Sequence, residues 1–189
     1  MTSFLYEISY IQAGLAELES YLLSEELYWP LDVKAIPGER PYPRLTIGGL
    51  LIALKRASAL PLSVSQQSKL RTLERQIETV KNQWRVAWEK KASRGFKARL
   101  KMWRDFLEEY KEYSQANADR YDYEVERRVM LHLLSPEVKQ LLQAYKDMVA
   151  GLDLRLRRVL LPGDFIWDPQ IASGFPADEY WYLYGSLAK

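Results

Sequence analysis

Apolar residues recur at intervals of three and four along five stretches of this chain, and that spacing constrains its fold more than any other feature. Leu5, Ile8, Ile11, Leu15, Leu18 and Leu22 form the first stripe. It ends before Trp29-Pro30, because a residue preceding proline is pushed out of helical geometry. Pro30, Pro37, Pro41 and Pro43 then crowd a segment that can be neither helix interior nor central strand. Residues 28–45 are therefore expected to form an extended connector. A second helix is expected from an N-cap at Thr46 to about Ala59, and a third from Ser63, which forms a capping-box pair with Gln66. The third helix carries its seam on Leu70, Leu73, Ile77, Val80, Trp84 and Ala87. Gly95 breaks that pattern and is expected to turn the chain into a fourth helix with Phe96, Leu100, Trp103, Leu107 and Tyr110 on one face. This face is expected either to continue or to bend near Asn117 into Tyr121, Val125, Val129 and Leu133. Ser135-Pro136-Glu137 reads as the start of a last helix, with Val138, Leu141, Tyr145, Val149, Leu152, Leu156 and Val159 inward, stopping at Pro162-Gly163. No stretch alternates apolar and polar residues. The fold class is all-α: an antiparallel helical bundle of about five to six helices, with a Pro-rich connector and an irregular aromatic C-terminal tail. Residues 1–163 are expected to be the bundle domain and 164–189 a tail packed on it.

A chain of 189 residues can bury a core without cross-links, and this one has no cysteine. Disulfides, thiolate metal sites and cysteine nucleophiles are thereby excluded. The single histidine, His132, excludes His-rich metal centres and paired Glu-x-x-His sites. No cofactor is expected. The N-terminal stretch has Glu7 where a signal peptide is apolar, and no apolar run is long enough to span a bilayer. These features point to a cytoplasmic protein with no membrane partner.

The formal net charge is only +2, but it is unevenly placed. Residues 69–104 hold twelve Lys and Arg against three acids, and residues 105–126 hold two against eight. A turn at Gly95 would bring Asp105, Glu108, Glu109 and Glu112 back beside Lys81, Arg85 and Lys90, neutralising both blocks. Trp84, Trp88 and Trp103 then read as buried seam residues. Arg94, Lys97, Lys101 and Arg104 share one helical face and are the candidate nucleic-acid-binding residues. The connector and tail concentrate aromatic residues; Trp29, Trp167, Tyr180, Trp181 and Tyr184 are the candidate protein interface.

The segment DYEVERRVMLHLL places Arg127 five residues before His132. An Arg-x4-6-His element in an all-helical chain resembles the motif of HEPN-type ribonucleases. The resemblance covers six residues and departs from the common pattern at Arg128. It implies a metal-independent ribonuclease in which Arg127 and His132 act together, usually across a dimer. Glu124, Arg128 and His132 also form an i, i+4, i+8 row, the spacing of an ion-paired helix face. The leading expectation is a non-enzymatic binding or scaffold protein acting through contacts with a protein partner. Nucleic-acid binding through the 94–104 face, a HEPN-like ribonuclease and a homodimer are the alternatives.

Overall fold

Ser3 and Thr46 set the first two helices of the computed structural model, which describes residues 2–140 and 142–189. Ser3 accepts from the Tyr6 amide to cap α1 (Phe4–Leu23), and Thr46 accepts from the Gly49 amide to cap α2 (Ile47–Ala59). The reciprocal Ser63–Gln66 box opens α3 (Val64–Gln83). Leu70, Leu73 and Ile77 of its seam are buried. Along α1 the buried arc is wider than the expected stripe and shifted from it. Leu5 is 57% exposed, while Tyr6, Glu7, Tyr10 and Tyr21 are buried.

Gly95 does not turn the chain. The break falls at Trp84, and α4 (Arg85–Glu112) runs through Gly95 without interruption. Gly95 faces α7 (Glu126–Leu134), where a Cβ would sit 3.8 Å from Leu134. The glycine lies where two helices pack. The expected return of acids beside Lys81, Arg85 and Lys90 is absent for the same reason. Lys81 meets Glu78 and Glu137, Arg85 meets Glu89, and Lys90 meets Glu25. Trp88 and Trp103 are buried as the seam spacing requires, but Trp84, at the helix junction, is only half-buried.

The bend near Asn117 is real. Two four-residue helices, α5 (Ser114–Asn117) and α6 (Tyr121–Glu124), carry the chain from α4 to α7. The buried Asn117 amide donates to the Glu109 and Tyr113 carbonyls at the end of α4, a second bond to each beside the backbone one. Ser135 does not begin a helix. Its backbone is right-handed helical, whereas an N-cap is extended, so Ser135-Pro136-Glu137 closes α7 with one 3₁₀ turn. Glu137 accepts instead from the Trp88 indole at 2.7 Å. The last helix, α8, starts later, at Gln143, and ends at Arg157. Leu152 and Leu156 are buried on it, and Leu141 lies outside the described residues.

The six longer helices form an all-α bundle. α7 lies against α2 and α4, and α1 lies against α2 and α3. Lys91 of α4 ties the end of α1, donating to Ser24 Oγ at 3.1 Å and to the Glu26 carbonyl. One element is outside the expected scheme: an antiparallel pair of β1 (Leu160–Phe165) and β2 (Tyr184–Leu187), in register Leu160 with Leu187. Between the strands, residues 166–183 coil back over the bundle. Phe175, Tyr182 and Leu183 are fully buried, and the Tyr121 hydroxyl donates to the Tyr182 carbonyl at 2.6 Å. Arg128 joins this region together. It makes a two-pronged bond to Asp153 of α8, at 2.8 and 2.7 Å, under the Tyr182 ring.

Candidate functional site

Each cation of the 94–104 face has a neighbour within the chain. Arg94 donates to the Glu25 carbonyl at 2.8 Å, and the Lys97 ammonium lies 5.5 Å from the Tyr145 ring centre. Lys101 and Arg104 both meet Asp105, at 2.5 and 3.0 Å. For Lys101 and Arg104 the neutralising acids, Asp105 and Glu108, sit on the same helix; Arg94 finds Glu25 beyond α1.

The aromatic candidates are also engaged inside the chain. Trp29 and Leu45 exchange backbone hydrogen bonds at 3.1 and 2.8 Å. Trp167 donates to the Asp122 carbonyl, and Tyr184 to the Phe175 carbonyl. Tyr180 is buried, and Arg157 lies over Trp181 at 3.6 Å. Arg127 and His132 are not brought together, since five residues along a helix place them on different faces. Arg127 pairs with Glu124 and lines a cavity beside α1 and α2. His132 opens to other cavities, bonded to Glu179 at 2.8 Å. Burial holds the imidazole below its ordinary value despite that carboxylate.

The cavity that Arg127 lines was not legible as a site in the sequence. The Trp29–Leu45 bridge closes the connector into a loop whose ends are pinned side by side. The returning limb, Arg40-Pro41-Tyr42, lies over the first half of α1. The Tyr42 ring packs at a tilt, its centre 5.3 Å from that of Tyr6 and 5.8 Å from that of Tyr10, and the Tyr6 hydroxyl donates to the Pro41 carbonyl. Under this strap lies a cleft of about 370 Å³. A second cavity of about 500 Å³ continues it past Glu7, Arg40, Arg56 and Glu126 toward Trp167.

The floor is built by α1 and α2. Gly49 admits the Tyr10 ring: a Cβ there would fall 2.8 Å from the Tyr10 hydroxyl. That hydroxyl is buried and has no hydrogen-bond partner among the described residues, a costly state for a polar group. Burial pushes its pKa well up. The walls bring in Arg44 from the connector, Arg99 and Met102 from α4, and Met130 from α7. Five arginines and two glutamates line the main cleft, a net of +3 with both carboxylates ionised.

The charges are unevenly satisfied. Arg56 holds Glu126 at 2.7 Å. Arg99 finds no carboxylate among the described residues; its guanidinium meets the Tyr28 hydroxyl at 2.9 Å and the Met130 sulfur at 3.1 Å. Arg40 and Arg44 likewise have no ion-pair partner among the described residues. Arg127 is pulled below its ordinary value first by burial, with Arg99 and Arg120 adding repulsion. Glu7 is buried, and burial raises its carboxyl to about 7 against the pull of Arg56 and Arg40. A carboxyl so placed is half protonated near neutrality, a perturbation of the kind that gathers at binding and catalytic sites. The sequence did carry one signal of it. Glu7, Tyr10, Gly14 and Tyr21 recur at three, four and seven beside the apolar stripe, a polar line on an otherwise buried face.

Among the described residues no three His, Asp or Glu side chains gather to hold a metal ion. No described helix is long and apolar enough to cross a membrane. No protein-family model, curated protein or solved structure matches the chain.

Proposed function

We propose that this chain is a non-enzymatic binding protein whose recognition site is the cleft beneath the proline-rich connector, and that its partner presents negative charge there. The observation that supports this reading is the gathering of five arginines from four separate parts of the chain around one concave space, three of them without a carboxylate among the described residues. Such crowding does not help the fold, because like charges gathered around one space repel. A ligand site does. The aromatic segments make their contacts within the chain, which moves the reading from a flat protein interface to the cleft. Arg127 and His132 line different cavities, and Arg94, Lys101 and Arg104 of the 94–104 face are each paired with an acid.

The test is native mass spectrometry of the full chain, purified gently from its native source. A bound mass is expected on the wild type and absent from a variant with Arg40, Arg44 and Arg99 all changed to Gln. A wild type without bound mass, or a variant that keeps it, overturns the reading.

A further inference from the structure

Four guanidinium groups of the cleft lie against aromatic rings. Arg40 sits 5.2 Å from the Tyr6 ring centre, Arg99 5.3 Å from Tyr28, Arg127 5.4 Å from Tyr123 and Arg56 4.7 Å from Trp167. A guanidinium held on a ring keeps a fixed position while its N–H donors stay available at the edge. Its side chain has already lost much of the freedom that binding would otherwise remove. Arg99 is the clearest case. One donor meets a phenol and others meet thioether sulfurs, which are weak acceptors, so its bonding capacity is largely unspent.

The number of donors selects the ligand. A carboxylate offers two oxygens and one charge, enough for one guanidinium fork. Arg40, Arg44 and Arg99 together present three forks without a carboxylate among the described residues. A phosphate monoester offers three terminal oxygens and nearly two charges, and a pyrophosphate more. Space selects it further, since about 370 Å³ lies in the range of small-molecule sites. Met102, Met130, Ile52 and Ala53 supply apolar surface beside the charges.

We propose that the cleft binds a small organic phosphate, a monoester or pyrophosphate attached to an apolar or planar body, gripped by Arg40, Arg44 and Arg99 and met by the Tyr10 hydroxyl, which has no partner among the described residues. The proposal rests on the cleft being the recognition site. Two carboxylates stand nearby and do not oppose it. Glu126 is neutralised by Arg56, and Glu7 in its protonated form donates to a phosphate oxygen instead of repelling it.

The test is calorimetric titration of the full chain at low salt with inorganic pyrophosphate, ADP and citrate. Pyrophosphate and ADP are expected to bind saturably, with citrate, a non-phosphate anion, at least about tenfold weaker. Arg99→Gln is expected to weaken ADP by roughly ten- to a hundredfold, the range for a hydrogen bond to a charged group. Arg40→Gln, on an exposed part of the loop, should act in the same direction without touching the core. Tyr10→Phe should weaken ADP several-fold while leaving the unfolding midpoint unchanged or higher, because it deletes an unsatisfied buried group. No saturable binding of either phosphate at millimolar concentration overturns the proposal. So does citrate binding equal to pyrophosphate, or unchanged ADP affinity in both arginine variants. An RNA oligonucleotide that displaces ADP at equal phosphate concentration overturns the small-molecule assignment. If the phosphates fail but the native bound mass still depends on the three arginines, the cleft stands and its ligand is of another class.

Discussion

Changing Glu7 to Gln isolates the cost of burying one charge in the cleft. In the folded chain the Glu7 carboxyl titrates near 7 because burial disfavours its anion, against an ordinary 4.5. Between those values the folded state keeps a proton that the unfolded state releases. Stability therefore falls as pH rises from about 4.5, and the loss is complete above about 7.5. The gap from 4.5 to about 7, at roughly 1.36 kcal/mol per pH unit, is worth about 3 kcal/mol. Gln carries the same shape with no charge to bury. Urea unfolding of wild type and Glu7→Gln across pH 4.5 to 8 reads the difference directly. Arg56, Arg40, Glu39 and Glu126, which face Glu7 from α2, the connector and α7, are present in both chains, so their own effects largely cancel. The two stabilities should lie within a few tenths of a kcal/mol at pH 4.5. The variant should lead by about 3 kcal/mol at pH 8, or roughly 6–12 °C in Tm for a chain of this size. A difference that stays flat with pH, or a wild type that gains on the variant as pH rises, would refute the reasoning.

Gly95→Ala should stabilise the fold by up to about 1 kcal/mol, because the position is helix interior with ordinary contact room at 3.8 Å; a destabilised variant in thermal melts would restore the turn at this residue. Arg128→Ala should cost about 3–5 kcal/mol by leaving Asp153 without its partner, read from urea unfolding, and a cost under about 1 kcal/mol would contradict the buried pair. A chain ending at Gly163 should melt well below the full chain, since it loses β2 and the buried Phe175, Tyr182 and Leu183; an unchanged Tm would show that these contacts contribute nothing. His132 gives a single imidazole resonance set, and its NMR titration should fall below the ordinary value of about 6.5, because burial outweighs the Glu179 carboxylate; a midpoint above 6.5 reverses that order.

What the sequence shows well is what local chemistry decides. Thr46, Ser63 with Gln66, and the Leu70–Leu73–Ile77 seam each act within one or two turns, and each appears as read. Gly95 and Ser135-Pro136 were misread because their local signals are shared by opposite outcomes. Glycine serves a turn or a close helix contact, and Ser-Pro serves a helix start or a helix stop. Leu134 packing against Gly95 decides the first case, and that contact is 39 positions away in the chain. The strand pair was invisible for a related reason. β1 contains Pro162 and Gly163, residues poor in strand propensity, and its pairing is decided by a partner more than twenty residues on. The cleft was least legible of all. Arg40, Arg56, Arg99 and Arg127 share no motif and no period, and meet only because α2, α4 and α7 pack as they do.

The paired bonds between Trp29 and Leu45 give the connector a property beyond holding its place. A loop with its ends tied to each other costs little more to close when it grows, about 0.6 kcal/mol for a doubling of length. The strap over the cleft can therefore lengthen, shorten or change its residues while α1 and α2 keep their packing. One helical scaffold can in this way carry straps of different length and charge at little cost to its stability.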